Sequence, residues 1–253
     1  MFAPRVSIII VGIFTLREYF LMKLALIGYG AMGQLVAKLA AEQGHEVSVT
    51  LRSRDGERSA EELVDSLRGC DVAIDFSVAA AVTRNVKACA WAELPLVEGT
   101  TGWQSQLDEM KNVVSQNDGA LVYGANFSVG VQVFYRIAAS AAELFRSLES
   151  YDAFIEEAHH KRKRDAPSGT ALQLGEIVAS HLGREVPVSS TRAGYIPGTH
   201  RVGFDSPSDQ IILEHTARGR EGFAAGALLA ASWIIRRKGV YEFSEVFDEI
   251  INA

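Results

Sequence analysis

The sequence predicts an α/β fold, a doubly wound parallel sheet joined to a smaller α+β unit, and three observations carry the prediction. The apolar run Lys23 to Ile27 stops at a glycine-rich turn, after which Leu35, Val36, Leu39 and Ala40 recur at helical spacing. From Lys23 to Tyr123, strand-like and helix-like stretches alternate, the pattern of a parallel sheet covered on both faces. Past Gly130 the texture changes to a long helix, a loosely alternating strand and a strand-and-turn region. A chain of 253 residues accommodates two such units, each able to bury a core.

The first strand ends in Gly28-Tyr29-Gly30-Ala31-Met32-Gly33, a GxGxxG turn between strand and helix. In that setting the pattern is a Rossmann-like dinucleotide fingerprint: glycines let the backbone turn sharply and approach a pyrophosphate, and the helix start faces its charge. The second strand, Val47 to Leu51, should end in an acid that holds the ribose hydroxyls of NAD, but Arg52 stands there, with Arg54 nearby. A guanidinium suits the extra phosphate of NADP, so the cofactor expectation is NADPH or NADH with a lean to NADPH. Ser59-Ala60-Glu61-Glu62 is a capping box opening a short helix to Leu67, and Asp71 to Phe76 is a third strand. Ala79 to Ala90 reads as helix, Pro95 to Val97 as strand, and Glu98-Gly99-Thr100-Thr101-Gly102 as a turn. Leu107 to Val114 is the next helix. Ala120 to Tyr123 is the fifth strand, ending in Gly124-Ala125-Asn126-Phe127. Ligands of such sheets gather at the carboxyl ends of the strands, where these turns emerge.

In the second unit, Val131 to Leu148 is a long helix and Tyr151 to Ala158 a strand that delivers His159 and His160. Lys161, Arg162, Lys163 and Arg164 follow, then Asp165, Pro167 and Ser168-Gly169-Thr170, which open a helix marked by Leu174, Ile177 and Val178. Free N–H groups and the positive end of the macrodipole gather at that turn beside two hydroxyls, a cradle for a carboxylate. Singly, a basic run is a solvated face and a histidine pair is structural. Together they form a site for a small acid. The net charge of −6 excludes a nucleic-acid footprint, so the basic cluster fits a small anionic ligand. Cys70 and Cys89 form no CxxC and predict neither a metal site nor a disulfide framework, in keeping with a cytoplasmic setting.

The segment HHKRKRDAPSGTA resembles the signature of the dihydrodipicolinate reductase family, HHxxKxDAPSGTA, at every fixed position. DVAIDFS, GTTG and ANFSVG are similar to further family elements, and the resemblance spans residues 22–253. It implies NAD(P)H-dependent reduction of 4-hydroxy-tetrahydrodipicolinate to tetrahydrodipicolinate in lysine and diaminopimelate biosynthesis, by a homotetramer. It implies a nucleotide domain of residues 22–127 plus 224–253, the last long helix from Phe223 through Ile235 packing back on it, and a substrate-binding and oligomerisation domain of 128–223. For the cofactor it implies Gly28, Tyr29, Gly30, Ala31, Met32, Gly33, Phe76, Gly99, Thr100, Thr101, Gly124, Ala125, Asn126 and Phe127, beside Arg52. For the substrate it implies His160, Ser168, Gly169 and Thr170, with His159 and Lys163 catalytic. Lys163 is the expected proton donor, its pKa lowered by neighbouring cations, while Lys161, Arg162 and Arg164 fall at variable positions. Ala193 and Thr199 depart from the family's RGGxIxGEH, which bears on packing of the second sheet before chemistry. Met22 is where such reductases start. Residues 1–21, apolar from Val6 to Phe14 apart from Ser7 and Gly12, read as a misassigned start or a disordered extension, with an interfacial anchor as the alternative. Rival readings are an aspartate or homoserine dehydrogenase, or a silent NAD(P)-sensing regulator; the unbroken signature favours the reductase.

Overall fold

The computed structural model describes residues 21–253, so the expectation for residues 1–21 falls almost wholly outside the described residues. The first sheet is entirely parallel, built from β1 (Lys23–Ile27), β2 (Glu46–Leu51), β3 (Val72–Asp75), β4 (Leu96–Glu98), β5 (Ala120–Tyr123) and β10 (Gly239–Glu242) in the order β10-β5-β4-β3-β1-β2. The chain reverses direction across the sheet between β1 and β3, and the crevice outside that switch point is where such sheets take ligands. β1, β3 and β4 are buried along nearly their whole length, which both-face coverage demands.

Two apolar layers supply that coverage. On one face α1 (Ala31–Glu42), α7 (Glu221–Ile234) and α8 (Phe243–Ile251) bury Val36, Ala40, Ala227, Leu228, Ile234 and Phe247 against Leu24, Leu26, Ile74 and Val97. On the other, α2 (Ala60–Leu67), α3 (Ala79–Trp91) and α4 (Leu107–Gln116) bury Leu63, Val86 and Met110 against Ala25, Ile27, Ala73 and Leu96. Ser59 caps α2 as its sequence implies, accepting the Glu62 N–H at 3.3 Å.

The second sheet has the order β7-β6-β8-β9, from β6 (Asp152–His159), β7 (Val188–Arg192), β8 (Thr199–Asp205) and β9 (Gln210–Thr216). β6 runs parallel to β7 and antiparallel to β8, and β8 antiparallel to β9. One face packs on α5 (Val129–Phe145) and α6 (Gly169–Leu182), burying Ala153, Ile155, Val202 and Phe204 with Ala138, Leu174 and Val178.

β7, β10 and α8 are additional to the elements read from the sequence. β10 is four residues long and only half-buried, too short to show alternation, and its pairing to β5 is a tertiary event. α8 begins at a Glu242/Glu245 capping box and follows β10 without a break, so the helix signal is masked by the strand before it. α7 also begins at Glu221, two residues before the expected Phe223. It crosses so close to the turn after β5 that a Cβ on Gly226 would lie 1.8 Å from the Phe127 carbonyl oxygen. Gly226→Ala should therefore lower stability by roughly 1–3 kcal/mol, read as a drop in the denaturant midpoint; an unchanged midpoint would contradict this contact.

Candidate active site

Register aligns the carboxyl ends of the central strands. Ile27 lies beside Leu51 and Asp75, Asp75 beside Glu98, and Glu98 beside Tyr123, so the following turns leave one edge together. Gly28 has φ +85, and a Cβ there would lie 2.5 Å from the Phe76 carbonyl oxygen, so the turn requires glycine twice over. At Gly30 a Cβ would meet nothing within 4 Å: the turn opens outward at the start of α1, where Ala31, Met32 and Gly33 follow. The first turn of α1 holds no acid, so its free N–H groups form a cradle that fits a pyrophosphate. Arg52, exposed at the end of β2, places its guanidinium 4.5 Å from the centroid of the Tyr29 ring.

Phe76 packs edge-on to Phe127, their centroids 6.3 Å apart. Thr100 is buried and Thr101 exposed. Gly124 and Ala125 lie on the same edge, the Gly124 N–H donating to the Glu98 carbonyl at 3.3 Å. Phe127 is a core residue instead, 2% exposed and stacked on Phe243 at 4.4 Å, so its side chain is withdrawn from the crevice.

In the second sheet the period of two that buries Ala153 and Ile155 continues to Glu157 and His159. Pairing then sets Ser190, Glu157, His200 and His215 in one row across four strands. The Glu157 side chain is fully buried and fully paired. Arg192 forks onto both carboxylate oxygens at 2.8 and 2.6 Å, His159 Nδ1 contacts it at 2.5 Å, and the Ser168 N–H donates at 3.2 Å. Burial pushes this carboxyl up, but Arg192, Ser190 and His159 outweigh it and set its pKa at about 2. Ser168 caps α6, its Oγ accepting the Ala171 N–H at 3.2 Å and lying 3.2 Å from His200 Nε2. Burial foremost, then neighbouring His159, lowers the His200 pKa to about 4, so the ring that meets the Ser168 hydroxyl is neutral. His159 is likewise lowered, by burial first.

Among the four cations after His160, Lys161, Arg162 and Arg164 are exposed and Lys163 alone is half-buried. Its Nζ lies 2.9 Å from Asp165, so the charge it meets is a carboxylate, contrary to the expectation that cations crowd it. The His160 ring is half-buried with Nδ1 sealed off and unpaired among the described residues, leaving the Nε2 edge for a ligand. Ala193 is also closer to the pocket than expected: its N–H donates to the His159 carbonyl at 3.0 Å, and a Cβ on Gly198 would lie 3.0 Å from His159 Nε2. Thr199 does belong to the sheet, bonded to Thr216 at 3.1 Å.

One side chain ties the two edges together. Asn126, in the turn after β5, donates from Nδ2 to Thr170 Oγ1 at 3.1 Å, while its Oδ1 accepts the Ser128 N–H at 2.9 Å. Burial pushes the hydroxyl pKa of Tyr135 on α5 up to about 12, and neighbouring Thr170 acts the other way. Glu157, Arg192, His200 and Tyr135 were not singled out from the sequence. Only the parity of Glu157 with Ile155 signalled a buried carboxylate.

Comparison with known proteins places this geometry. The family model for the N-terminus of dihydrodipicolinate reductase matches residues 22–127, and that for its C-terminus matches 130–247. The chain is 34% identical over 241 residues to a 4-hydroxy-tetrahydrodipicolinate reductase of Christiangramia forsetii, covering 90% of this chain and 99% of the relative. It is 31% identical over 255 residues to that of Acinetobacter baylyi, covering 86% and 92%. A dipicolinate-bound dihydrodipicolinate reductase from Paenisporosarcina shares its fold, with TM-score 0.70 at 21% identity over 90% of this chain and 100% of that one. Among the described residues no helix is long and apolar enough to cross a membrane.

A depressed folded pKa contributes stability above the unfolded value and loses it as the pH falls toward the folded one. Acid should therefore act in two steps, from 6.5 to about 4 as His200 takes a proton and from 4.5 to about 2 as Glu157 does. Each step is worth on the order of 3 kcal/mol. Urea titrations at a series of pH values measure this, and His200→Gln should shrink the upper step, to which His159, His45 and His215 also contribute, while keeping the lower. An upper step of undiminished size in His200→Gln would overturn the His200 assignment.

Proposed function

The chain belongs to the dihydrodipicolinate reductase family, and on that footing we propose how its own residues carry the family's reaction. It is an oxidoreductase that reduces 4-hydroxy-tetrahydrodipicolinate in lysine and diaminopimelate biosynthesis, with a nicotinamide cofactor. The observation that carries the proposal is the Asn126–Thr170 hydrogen bond, which sets the carboxylate cradle of α6 beside the carboxyl edge of the parallel sheet. When bound, the reduced nicotinamide supplies the hydride.

In this reading residues 22–127 with 224–253 hold the dinucleotide and 128–223 hold the substrate. The glycine turn Gly28 to Gly33 takes the pyrophosphate, and Phe76, Gly99, Thr100, Thr101 and Gly124 to Asn126 line its nicotinamide side. One substrate carboxylate docks on the N–H groups of Gly169 and Thr170, with the Ser168 cap holding the helix start in place. His160 contacts the substrate. The 4-hydroxyl leaves as water to give a conjugated ring, and Lys163 gives its proton to the ring carbon next to the one that receives hydride, quenching carbanion character there. Asp165, 2.9 Å away, holds the ammonium in position. His159, its Nδ1 fixed on Glu157, presents Nε2 as the partner donor or acceptor.

Arg52 supports NADPH over NADH, because a guanidinium backed by the Tyr29 ring pairs with a 2′-phosphate that a carboxylate would repel. The family resemblance supports a homotetramer and a cytoplasmic setting.

Two measurements check these assignments with the coupled synthase product as substrate. Lys163→Ala should cut kcat by about 10²-fold or more, with little change in the KM for cofactor, whereas Lys161→Ala should keep wild-type turnover. The reverse pattern would exclude Lys163 as the donor. The KM for NADPH should lie below that for NADH, and Arg52→Ala should raise the NADPH value about tenfold while leaving NADH unchanged. Tighter use of NADH by the wild type would refute the preference.

A further inference from the structure

Behind the Gly99–Thr101 turn, β3 and β4 each end in an acid, Asp75 and Glu98, adjacent in register and both 0% exposed. The reaction above uses neither. Their hydrogen-bond donors are unequally shared. Asp75 Oδ1 accepts the Ser77 N–H at 2.7 Å and faces the Thr100 hydroxyl at 3.4 Å, and Oδ2 accepts from Asn85 Nδ2 at 2.7 Å. Glu98 Oε1 accepts the Thr100 N–H at 2.7 Å. Glu98 Oε2 is buried and meets no donor among the described residues, while Thr100 meets both carboxyls, Glu98 through its N–H and Asp75 through its hydroxyl.

Two carboxylates side by side out of water repel unless one holds a proton, because a second unpaired buried charge is far costlier than a neutral acid. The oxygen that lacks a donor is where that proton belongs. We propose that Glu98 is held as the neutral acid, its Oε2–H donating to the Asp75 carboxylate, and that this shared proton makes Glu98 a positioning residue for the turn facing the nicotinamide. The proposal rests on the cofactor assignment above for what the turn faces.

The turn hangs on the pair at several points. Glu98 Oε1 holds the Thr100 N–H, Thr100 Oγ1 accepts the Ser77 N–H at 3.1 Å, and the Trp103 indole N–H donates to the Thr100 carbonyl at 2.7 Å. The Phe76 ring lies against Gly99, where a Cβ would come within 2.2 Å of it. The turns after β3 and β4 are thus one unit, and the shared proton lies at its base.

The surroundings favour a single negative charge. Burial foremost, then the Asp75 charge, raises Glu98 well above the carboxylate range, and burial raises Asp75. Cys89 of α3 is itself pushed up by burial and by both acids, and Cys70 by burial. Tyr123, beside Glu98 on β5, is raised by burial and by Glu242 and Glu245. Arg84 reaches Asp75 through Asn85, whose Oδ1 accepts its guanidinium at 3.1 and 2.9 Å. The buried face of α7, from Ala224 to Ile234, carries no titratable side chain.

A group whose folded pKa is raised contributes stability below its unfolded value and loses it as the pH rises through the folded one. Glu98→Gln keeps the shape and a neutral donor toward Asp75, whereas Glu98→Ala removes both. Fluorescence titration of NADPH without substrate, and urea denaturation, would each be run from neutral pH to about pH 10. Glu98→Gln should bind NADPH within about threefold of wild type at neutral pH, and should lack the alkaline loss of binding and stability seen in wild type. Glu98→Ala should bind about tenfold more weakly throughout. If Glu98→Gln binds as poorly as Glu98→Ala, or shows the wild-type alkaline profile, the shared proton is refuted. A wild-type chain that bound neither NADPH nor NADH would sink the cofactor assignment instead, and the alkaline stability of wild type against Glu98→Gln would still decide the protonation. Should Glu98→Ala fail to fold, that same comparison suffices.

Discussion

The buried carboxylate of Glu157 is the constraint on which the proposed substrate side of this protein depends. A charge with no solvent must be paired from every side, and its partners come from β6, β7 and the start of α6: His159, Arg192 and the Ser168 N–H. Pairing it therefore fixes where the strand ends, where the helix begins and how the His159 ring is turned. Ser168 then caps α6 and meets His200, so the first free N–H groups of the helix are aimed by a chain of contacts that begins at one carboxylate. Removing Glu157 or Arg192 would leave its partner's charge uncompensated, whereas removing His159 or the Ser168 N–H would leave only an unmet lone pair.

The proposed cofactor side obeys a different logic. Parallel strands in register bring several turns to one edge, and short contacts between those turns leave little freedom: Gly28 against Phe76, Phe76 against Gly99, and Gly226 against the Phe127 backbone. The two sides meet at Asn126. Its amide lies in the turn after β5 and reaches Thr170, so the distance between the proposed hydride donor and the carboxylate cradle is set by one short loop and the helix α5 that follows it. Chemistry of this kind gains most of its rate from orientation, so a rigid joint at that point matters more than the strength of the single hydrogen bond.

Much of the first sheet was legible because it is built from local signals: apolar runs, a glycine turn between strand and helix, the Ser59 cap. The second sheet was legible in its texture, and its signature residues stood out as a string. What the sequence concealed are pairings distant along the chain. Glu157 reads as one of two adjacent acids on a strand, and only pairing with Arg192, 35 residues on, shows that it is buried. Asp75 and Glu98 read as strand ends, and their contact depends on β3 lying beside β4. Lys163 stands in a basic run in sequence, but in space its partner is Asp165. β10 is recognisable only by the strand it joins.

The central claim is that a carboxylate cradle at the start of α6 presents a diacid ring to a nicotinamide held at the edge of the parallel sheet. A crystal structure of the protein with a reduced nicotinamide cofactor and pyridine-2,6-dicarboxylate, a planar mimic of the substrate, tests it most directly. The account predicts one carboxylate on the Gly169 and Thr170 N–H groups, Lys163 beside the ring, and a ring carbon within about 3.5 Å of the nicotinamide C4. A diacid bound away from that turn, or seated there with its ring beyond reach of the nicotinamide, would contradict it.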